Sequence, residues 1–326
     1  MGGDPQMNEQ LERQQEPALK TDKKENIILR THLSDHDRNE NSPGSLAMLT
    51  ASMIIFGTIG VFRRLIPLSS GMIAFFRGII GALFLTLFVK ARGRKLRTGI
   101  ERKTTLWLVV SGGVIGFNWI LLFEAYNYTT VSIATLCYYM QPTIVVIVST
   151  IFFKERMTRR KAMCSALALF GMTLVSGVFD GGIVSASDMK GIFLGLGAAA
   201  LYAAVILMNK TITGVDVYEK TILQLFSAGI VLIPYLAMTE DFTGMRISAG
   251  TVCLLLFVAI VHTGIAYALY FGSMDGLRTQ TVALFSYIDP ITALAVSGVI
   301  LHEKLSAGGI IGAFLILGSA IAGELS

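Results

Sequence analysis

Long apolar runs, each of roughly 20 residues, follow one another from about residue 46 to the end of the chain, with short polar breaks between them. Runs of this length can cross the hydrocarbon core of a bilayer as α-helices. They are too long and too uniformly apolar for barrel strands, and a helix satisfies its own backbone in lipid. The pattern predicts an all-α integral membrane protein with ten transmembrane helices, at about residues 46–66, 68–89, 105–126, 130–152, 159–178, 190–208, 220–238, 249–272, 279–301 and 306–323.

The composition agrees with this class and sets the first 44 residues apart. Of the 326 residues, 53% are apolar and 15% are charged, whereas soluble domains average about 25% charged. Residues 1–44 carry 9 Asp or Glu and 6 Lys or Arg, and they hold no apolar run that could form the core of a signal peptide. We predict that they form a disordered, polar, cytoplasmic tail.

Basic residues are concentrated in every second loop, and this asymmetry predicts the orientation. The loops after the even-numbered spans hold 15 Lys or Arg, including those of "KARGRKLRTGIERK" and "KERMTRRK", against 5 in the loops after the odd-numbered spans. Because positive loops face the cytoplasm, both termini of a ten-span chain in the cell membrane are predicted to be cytoplasmic. The net charge of +5 therefore belongs to membrane loops, and nucleic acid is not expected as a partner.

Two stretches of the chain, 139–157 and 287–305, read alike. The first is "YMQPTIVVIVSTIFFKERM" and the second is "YIDPITALAVSGVILHEKL", at an offset of 148 residues. This offset aligns Tyr139 with Tyr287, Pro142 with Pro290, and Glu155 with Glu303. Earlier in each half, "MIIFGTIGVFRRLI" (53–66) runs parallel to "AALYAAVILMNKTI" (199–212).

These matches predict two repeats of five helices each, at residues 45–180 and 188–324. Five is an odd number, so the second repeat should cross the membrane in the opposite direction to the first. The loop charges agree, because "KERMTRRK" carries five cations and its counterpart "HEKLSAGG" carries one. Inverted repeats are typical of secondary transporters, whose binding site lies near the bilayer midplane at the repeat interface.

Several of these residues resemble a known family. Arg77 in "AFFRGIIGAL", the "QP" and "DP" pairs of spans four and nine, and the ends "FFKERMTRRK" and "ILHEKLSAGG" resemble the drug/metabolite transporter superfamily, in particular its EamA-type ten-helix members. The resemblance covers about residues 46–323. It implies a secondary transporter of small organic solutes, since the family handles amino acids, metabolites and drugs, often by export or exchange.

Asp289 is the sharpest candidate for function. It lies about ten residues into span nine, at a depth of roughly 15 Å, which is close to the midplane. An intramembrane carboxylate is costly and usually faces a cavity or a partner. Two interpretations stay open at this point. Asp289 could carry a proton through the transport cycle, or it could form a structural ion pair with Arg77, which lies at a similar depth in span two.

Other mid-span residues could line a binding site. Pro142 and Pro290 each free a backbone carbonyl one turn earlier, so they are predicted to kink their helices. Aromatic and amide side chains suit an amphipathic solute, whereas packing between helices is the alternative for each of them. His262 could titrate near neutral pH or serve as a packing residue. The further candidates for substrate binding or coupling are Asn118, Trp119, Tyr138, Tyr139, Gln141, Gln224 and Tyr287.

The sequence indicates no enzyme. It has no phosphate loop and no metal-ligand spacing, and Cys137, Cys164 and Cys253 all lie in apolar segments, so neither a metal nor a cofactor is expected. The expected partners are a small organic solute, the lipid bilayer and protons. We expect an amino acid or related metabolite to be moved outward, by proton coupling or by exchange. The alternatives are a nucleotide-sugar or phosphorylated-metabolite exchanger, and a membrane scaffold or enzyme without transport.

The orientation can be tested with single cysteines in a chain whose own three cysteines are replaced by serine. Thr21→Cys lies in the predicted cytoplasmic tail and should react with an impermeant thiol reagent only after the cells are permeabilised. Arg246→Cys lies in a predicted outer loop and should react in intact cells. The opposite labelling pattern would invert the orientation.

Overall fold

The computed structural model of the protein describes residues 42–94, 96, 99–152, 157–177, 185–243, 247–274 and 276–324. Most of the predicted tail (residues 1–41), Glu155 of the repeat motif and Arg246 lie outside these ranges. Helices, turns and short connections account for all of the described residues, which contain no strand.

Fourteen α-helices and one π-helix occur in these ranges. They are α1 (Pro43–Gly57), α2 (Ile59–Leu65), α3 (Ser70–Ala91), α4 (Arg102–Tyr128), α5 (Val131–Tyr138), α6 (Gln141–Phe152), α7 (Arg159–Val175), α8 (Ala186–Thr211), α9 (Val217–Thr239), α10 (Ala249–Ala259), the π-helix Ile260–Ile265, α11 (Ala266–Met274), α12 (Thr279–Ser286), α13 (Ile288–Ile300) and α14 (Ala307–Glu324).

Many of these helices begin at a polar residue of the kind that caps helices. The side-chain oxygen of such a residue accepts a hydrogen bond from a backbone N–H of the first turn, which has no partner inside the helix. The capping residues are Ser69 for α3, Thr130 for α5, Thr158 for α7, Ser185 for α8, Asp216 for α9 and Ser248 for α10. The short polar breaks of the sequence thus define where the helices start.

Eight helical stretches of the described chain are long and apolar enough to cross a membrane. They are Pro43–Leu65, Ser70–Ala91, Arg102–Tyr128, Val131–Phe152, Ala186–Thr211, Val217–Thr239, Ala249–Met274 and Thr281–Ile300. Two further helices, α7 and the apolar part of α14 (Ala307–Gly323), occupy the places of the predicted spans five and ten but are shorter. The all-helical membrane fold is confirmed, and the number of ten spans stays a prediction.

The outer surface of the bundle is apolar. Large side chains such as Phe152, Val299 and Phe314 are about three-quarters exposed, at 76%, 74% and 76% of their area. A soluble protein rarely exposes so many large apolar groups together, because water penalises them. Exposure of these groups to acyl chains carries no such cost. The surface therefore fits a multi-pass membrane protein whose lipid-facing sides are as apolar as its interior.

Two of the spans are interrupted halfway, at equivalent places in the two repeats. α5 ends at Tyr138 and α6 begins at Gln141, while α12 ends at Ser286 and α13 begins at Ile288. Pro142 and Pro290 stand in the first turns of α6 and α13, not in a helix interior as the sequence suggested. A proline costs no helical hydrogen bond in a first turn, because that N–H would have no partner there anyway.

Close backbone contacts hold the helices of the bundle together, and small residues make them possible. Where α4 crosses α9, a Cβ atom added to Gly112 would lie 2.7 Å from the Cβ of Ser227. Where α7 crosses α14, one added to Gly171 would lie 2.8 Å from the carbonyl oxygen of Gly312. No neighbouring side chain could yield enough room at the second contact, because the obstacle is backbone.

We expect Gly112→Val to lower the stability of the folded protein, because overpacking a tight contact typically costs about 1–3 kcal/mol. Thermal unfolding in detergent measures the effect. Gly318→Ala is the matched control, since nothing lies within 4 Å of the added atom there. Equal melting temperatures for the two variants would contradict the close contact between α4 and α9.

Candidate functional site

A cavity of about 660 Å³ lies inside the bundle. Both interrupted spans contribute to its wall, together with residues of α1, α2, α3, α4, α7, α8, α11 and α14. The wall therefore combines helices of both sequence repeats. At one end it includes Lys161, in the first turn of α7, and Gly323, in the last turn of α14.

Asp289 lies in the cavity wall, directly after the interruption between α12 and α13. Its Oδ2 accepts a hydrogen bond of 2.6 Å from the hydroxyl group of Tyr139, which belongs to the interruption of the other repeat. The rings of Tyr139 and Tyr287 also approach, with centroids 6.4 Å apart. The two breaks thus meet, and the first-turn position of Asp289 favours its negative charge through the helix dipole.

Arg77 forms the cationic part of the same wall. Its Nε donates a hydrogen bond of 2.7 Å to Oγ1 of Thr263, in the π-helix. Its guanidinium carbon stands 4.3 Å from the ring centroid of Trp119 and 5.6 Å from that of Phe123. These cation–π contacts stabilise a charge that is only 5% exposed. The described residues offer no hydrogen-bond partner to the two terminal nitrogens, which remain available to a ligand.

The expected alternative of a direct ion pair between Arg77 and Asp289 is wrong for this structure. Arg77 is bound to Thr263 and to Trp119, and Asp289 is bound to Tyr139. Equal depth in the membrane did not bring the two charged groups into contact, because each found a neutral partner on a neighbouring helix. They face one cavity as separate groups.

Tyrosine rings line much of the remaining wall. Tyr138, Tyr139 and Tyr287 were expected there from the sequence, and four more tyrosines join them, namely Tyr126, Tyr202, Tyr267 and Tyr270. The ring centroids of Tyr138 and Tyr202 are 5.6 Å apart. The repeat could have indicated Tyr202, because the alignment of 53–66 with 199–212 pairs it with Phe56, which also lines the cavity.

Gln141, the repeat counterpart of Asp289, lines the cavity as well. Its Oε1 is buried and has no hydrogen-bond partner in the described part of the chain. A buried acceptor without a donor is unfavourable unless a ligand or water supplies one. This oxygen is therefore a candidate acceptor for a donor group of a bound solute. Pro142 lies beside it in the wall, whereas Pro290 is buried behind the wall.

Three other candidates, Asn118, Gln224 and His262, do not line the cavity. Asn118 donates a hydrogen bond of 2.6 Å from Nδ2 to the carbonyl oxygen of Ala198 and so joins α4 to α8. Gln224 donates from Nε2 to Oγ of Ser111, at 2.7 Å, and to Oδ1 of Asn209, at 2.8 Å. Both side chains cross-link helices, which is the packing alternative that the sequence left open.

His262 is the third. Its Nε2 lies 2.9 Å from Oγ1 of Thr58, and its ring packs against Phe62 and Phe257. His262 and its neighbour Thr263 both lie in the π-helix and contact different partners. His262 joins the break between α1 and α2, while Thr263 holds Arg77. Short π-helical segments often occur at functional sites, and this one orients the cation of the cavity.

The fold and this cavity define a multi-pass membrane transporter built from two repeats. The model of the EamA-like transporter family matches residues 43–177 and 189–322. The chain belongs to that family, a part of the drug/metabolite transporter superfamily.

Similar proteins carry transporter names. An "Uncharacterized transporter YxxF" of Bacillus subtilis (strain 168) is 28% identical over 251 residues, which cover 77% of this chain and 80% of the relative. A "Probable amino-acid metabolite efflux pump" of Escherichia coli (strain K12) is 27% identical over 207 residues, covering 60% of this chain and 68% of the relative. A solved crystal structure shares the fold, with a TM-score of 0.60 at 17% identity, over 86% of this chain and 96% of that chain.

Tyr139→Phe should lower the free energy of unfolding by about 1–3 kcal/mol, because it leaves the partly buried carboxylate of Asp289 without its hydrogen-bond donor. Thermal unfolding in detergent provides the measurement. Tyr202→Phe is the matched control, since the Tyr202 hydroxyl group makes no hydrogen bond to the described residues. Equal melting temperatures for the Tyr139→Phe and Tyr202→Phe proteins would mean that the Tyr139–Asp289 hydrogen bond contributes little to stability.

Proposed function

We propose that this protein is a secondary transporter of the cell membrane that moves a small organic solute outward, an amino acid or a related metabolite, by proton coupling or by exchange. The observation that carries the proposal is the presence of one guanidinium and one carboxylate in the wall of a single cavity, each with part of its binding capacity unused. A zwitterion carries the two complementary charges.

The geometry suggests a role for each part of such a solute. A carboxylate group would bind the terminal nitrogens of Arg77, whose planar arrangement suits two parallel hydrogen bonds. An ammonium group would bind the free oxygen of Asp289 and the unpaired Oε1 of Gln141. The tyrosine rings would contact the apolar part of the solute. The cavity has the size of a small-molecule site, which typically measures about 300–1,000 Å³.

Proton coupling is the role we propose for Asp289. A carboxyl group at the repeat interface can release its proton when the cavity opens to one side and take one up when it opens to the other. Tyr139 would donate to the ionised form, and Arg77 across the cavity would favour it. In an exchanger, the same carboxylate would be neutralised by the cationic group of each incoming solute.

A phosphorylated solute is the second candidate, and the cavity supports it less well. Phosphate sites usually gather two or more cations at one point. The described wall contains Arg77, the eighth residue of α3, and Lys161, in the first turn of α7, so the two cations differ in membrane depth. The name of the Escherichia coli relative also favours an amino-acid metabolite and an outward direction.

Transport of a labelled metabolite panel into vesicles reconstituted with the purified protein tests the function, and Asp289→Asn tests the mechanism. Asparagine is nearly isosteric but cannot titrate. We expect Asp289→Asn to fold and insert and to lose accumulation driven by a pH gradient. Asp241→Asn, at an exposed position outside the spans, is the matched control.

Two results would count against these proposals. Full pH-dependent accumulation by the Asp289→Asn protein would end the proton-carrier role. A folded wild-type protein that moves no member of a broad panel, including amino acids and phosphorylated metabolites, would count against small-solute transport itself.

A further inference from the structure

The carboxylate of Glu303 lies across the N-terminus of α5. Its Oε1 accepts a hydrogen bond of 2.8 Å from the backbone N–H of Val131, and its Oε2 accepts one of 3.0 Å from that of Ser132. The hydroxyl group of Ser132 donates a third, of 3.1 Å, to Oε2. The side chain is only 9% exposed, and Nη2 of Arg64 stands 3.8 Å from its Oε1.

These contacts join the two repeats of the chain. Arg64, Val131 and Ser132 belong to the first repeat and Glu303 to the second, 172 residues further along than Val131. Next to Glu303, the hydroxyl oxygens of Ser132 and Ser297 are 2.7 Å apart, which joins α5 to α13 a second time. We call these four side chains, of Arg64, Ser132, Ser297 and Glu303, the Glu303 gate.

Helix capping alone does not account for this arrangement. α5 already has a local cap, since Thr130 Oγ1 accepts from the N–H of Ile133. A cap from a residue 172 positions away is not needed to end a helix, and here it also bonds the two repeats to each other. The bond is of the strong, charge-assisted kind, in which an ionised oxygen accepts from backbone N–H groups.

The chain takes an unfavourable conformation to present Glu303. After α13, the N–H of Glu303 bonds the carbonyl oxygen of Ser297 at 3.3 Å, which closes the helix end. His302 between them has a φ of 54°, in the left-handed region that normally selects glycine at this place. Strained residues of this type persist where the surroundings determine them, and they concentrate at functional sites.

The gate lies at the end of the bundle that the described cavity wall does not reach. The cavity wall reaches Lys161 and Gly323 at the opposite end, and among the described residues the four gate side chains are not part of it. The nearest wall residue on α13 is Ala293, one helical turn before Ser297. The cavity wall thus ends about one helical turn of α13 before the gate.

We propose that Glu303 is the gating residue on this side of the membrane. Its carboxylate holds α5 against α13 while the cavity is open towards Lys161, and it must leave the N–H groups of Val131 and Ser132 before the cavity can open on its own side. A transporter needs such a contact to be made in one state and broken in the other. The proposal concerns access to the cavity and does not depend on which solute the cavity binds.

The experiment measures access directly. Ala293→Cys, in a chain whose own three cysteines are replaced, serves as reporter beneath the gate, and its reaction with an impermeant, negatively charged thiol reagent is timed in sealed vesicles of each orientation. Lys304→Cys, in a separate preparation, identifies which orientation presents the Glu303 side. Lys304 is exposed and next to the gate, so it reports sidedness alone.

Glu303→Gln is combined with the reporter, because an amide can accept only one of the two N–H bonds and presents its own N–H₂ to the other. We expect the reporter to react from the Glu303 side roughly tenfold faster or more, since hydrogen bonds to a charged group are among the stronger ones. Glu240→Gln, the same change at the end of α9, is the matched control and should leave the rate unchanged.

Equal reporter rates in folded Glu303→Gln and Glu240→Gln proteins would overturn the proposal and reduce Glu303 to a helix cap. If Glu303→Gln does not yield folded protein, Ser297→Ala decides in its place. A faster rate then supports the gate, and an unchanged rate overturns it. Because labelling needs no transported solute, a failure here is distinct from a failure of the proposed transport.

Discussion

The need of a lipid-embedded backbone to hydrogen bond within itself governs this structure. Every break in a helix frees carbonyl and N–H groups that lipid cannot satisfy. The two mid-span breaks therefore lie where they face the cavity and each other, at Tyr139 and at Tyr287. Proline makes the break, since it cannot supply an N–H to the carbonyl one turn earlier. The residue just before each proline, Gln141 or Asp289, is thereby turned into the cavity wall.

The charged groups inside the bundle also need partners, which neighbouring helices supply. Arg77 is buried and Asp289 is partly buried, and both are held by neutral groups instead of by one another. A closed ion pair would leave little for a ligand to bind, whereas a guanidinium on an indole ring and a carboxylate on a phenol keep part of their capacity free. The carboxylate at the far end of the bundle differs, because both of its oxygens are hydrogen bonded. There the two carboxylate oxygens of Glu303 accept hydrogen bonds from the backbone of α5.

The sequence predicted the helices well and the contacts poorly, for physical reasons. A run of apolar residues indicates that a helix crosses the membrane, and a Ser or Thr before the run indicates where the helix starts. The same run gives the depth of Arg77 and Asp289 but not the direction in which each side chain points, and so the sequence left a proton carrier and a structural ion pair equally open. Asn118, Gln224 and His262 show the same limit, since a polar side chain in a span can face a cavity or bind a neighbouring helix. Arg77 and its partner Thr263 are 186 positions apart, so no local pattern in the sequence predicts their contact.

The two short helices have a consequence for the surrounding lipid. α7 has 17 residues and spans about 26 Å at 1.5 Å per residue, less than the roughly 30 Å of a typical hydrocarbon core. It is packed against the equally short α14 through Gly171 and Gly312, so both short elements lie on one flank of the bundle. A membrane helix shorter than the hydrocarbon core is accommodated by local thinning of the bilayer, at a modest cost per ångström. In the predicted ten-span arrangement, the thickness of the membrane, set by acyl-chain length, would therefore act on the same helices that form the wall around Lys161 and Gly323.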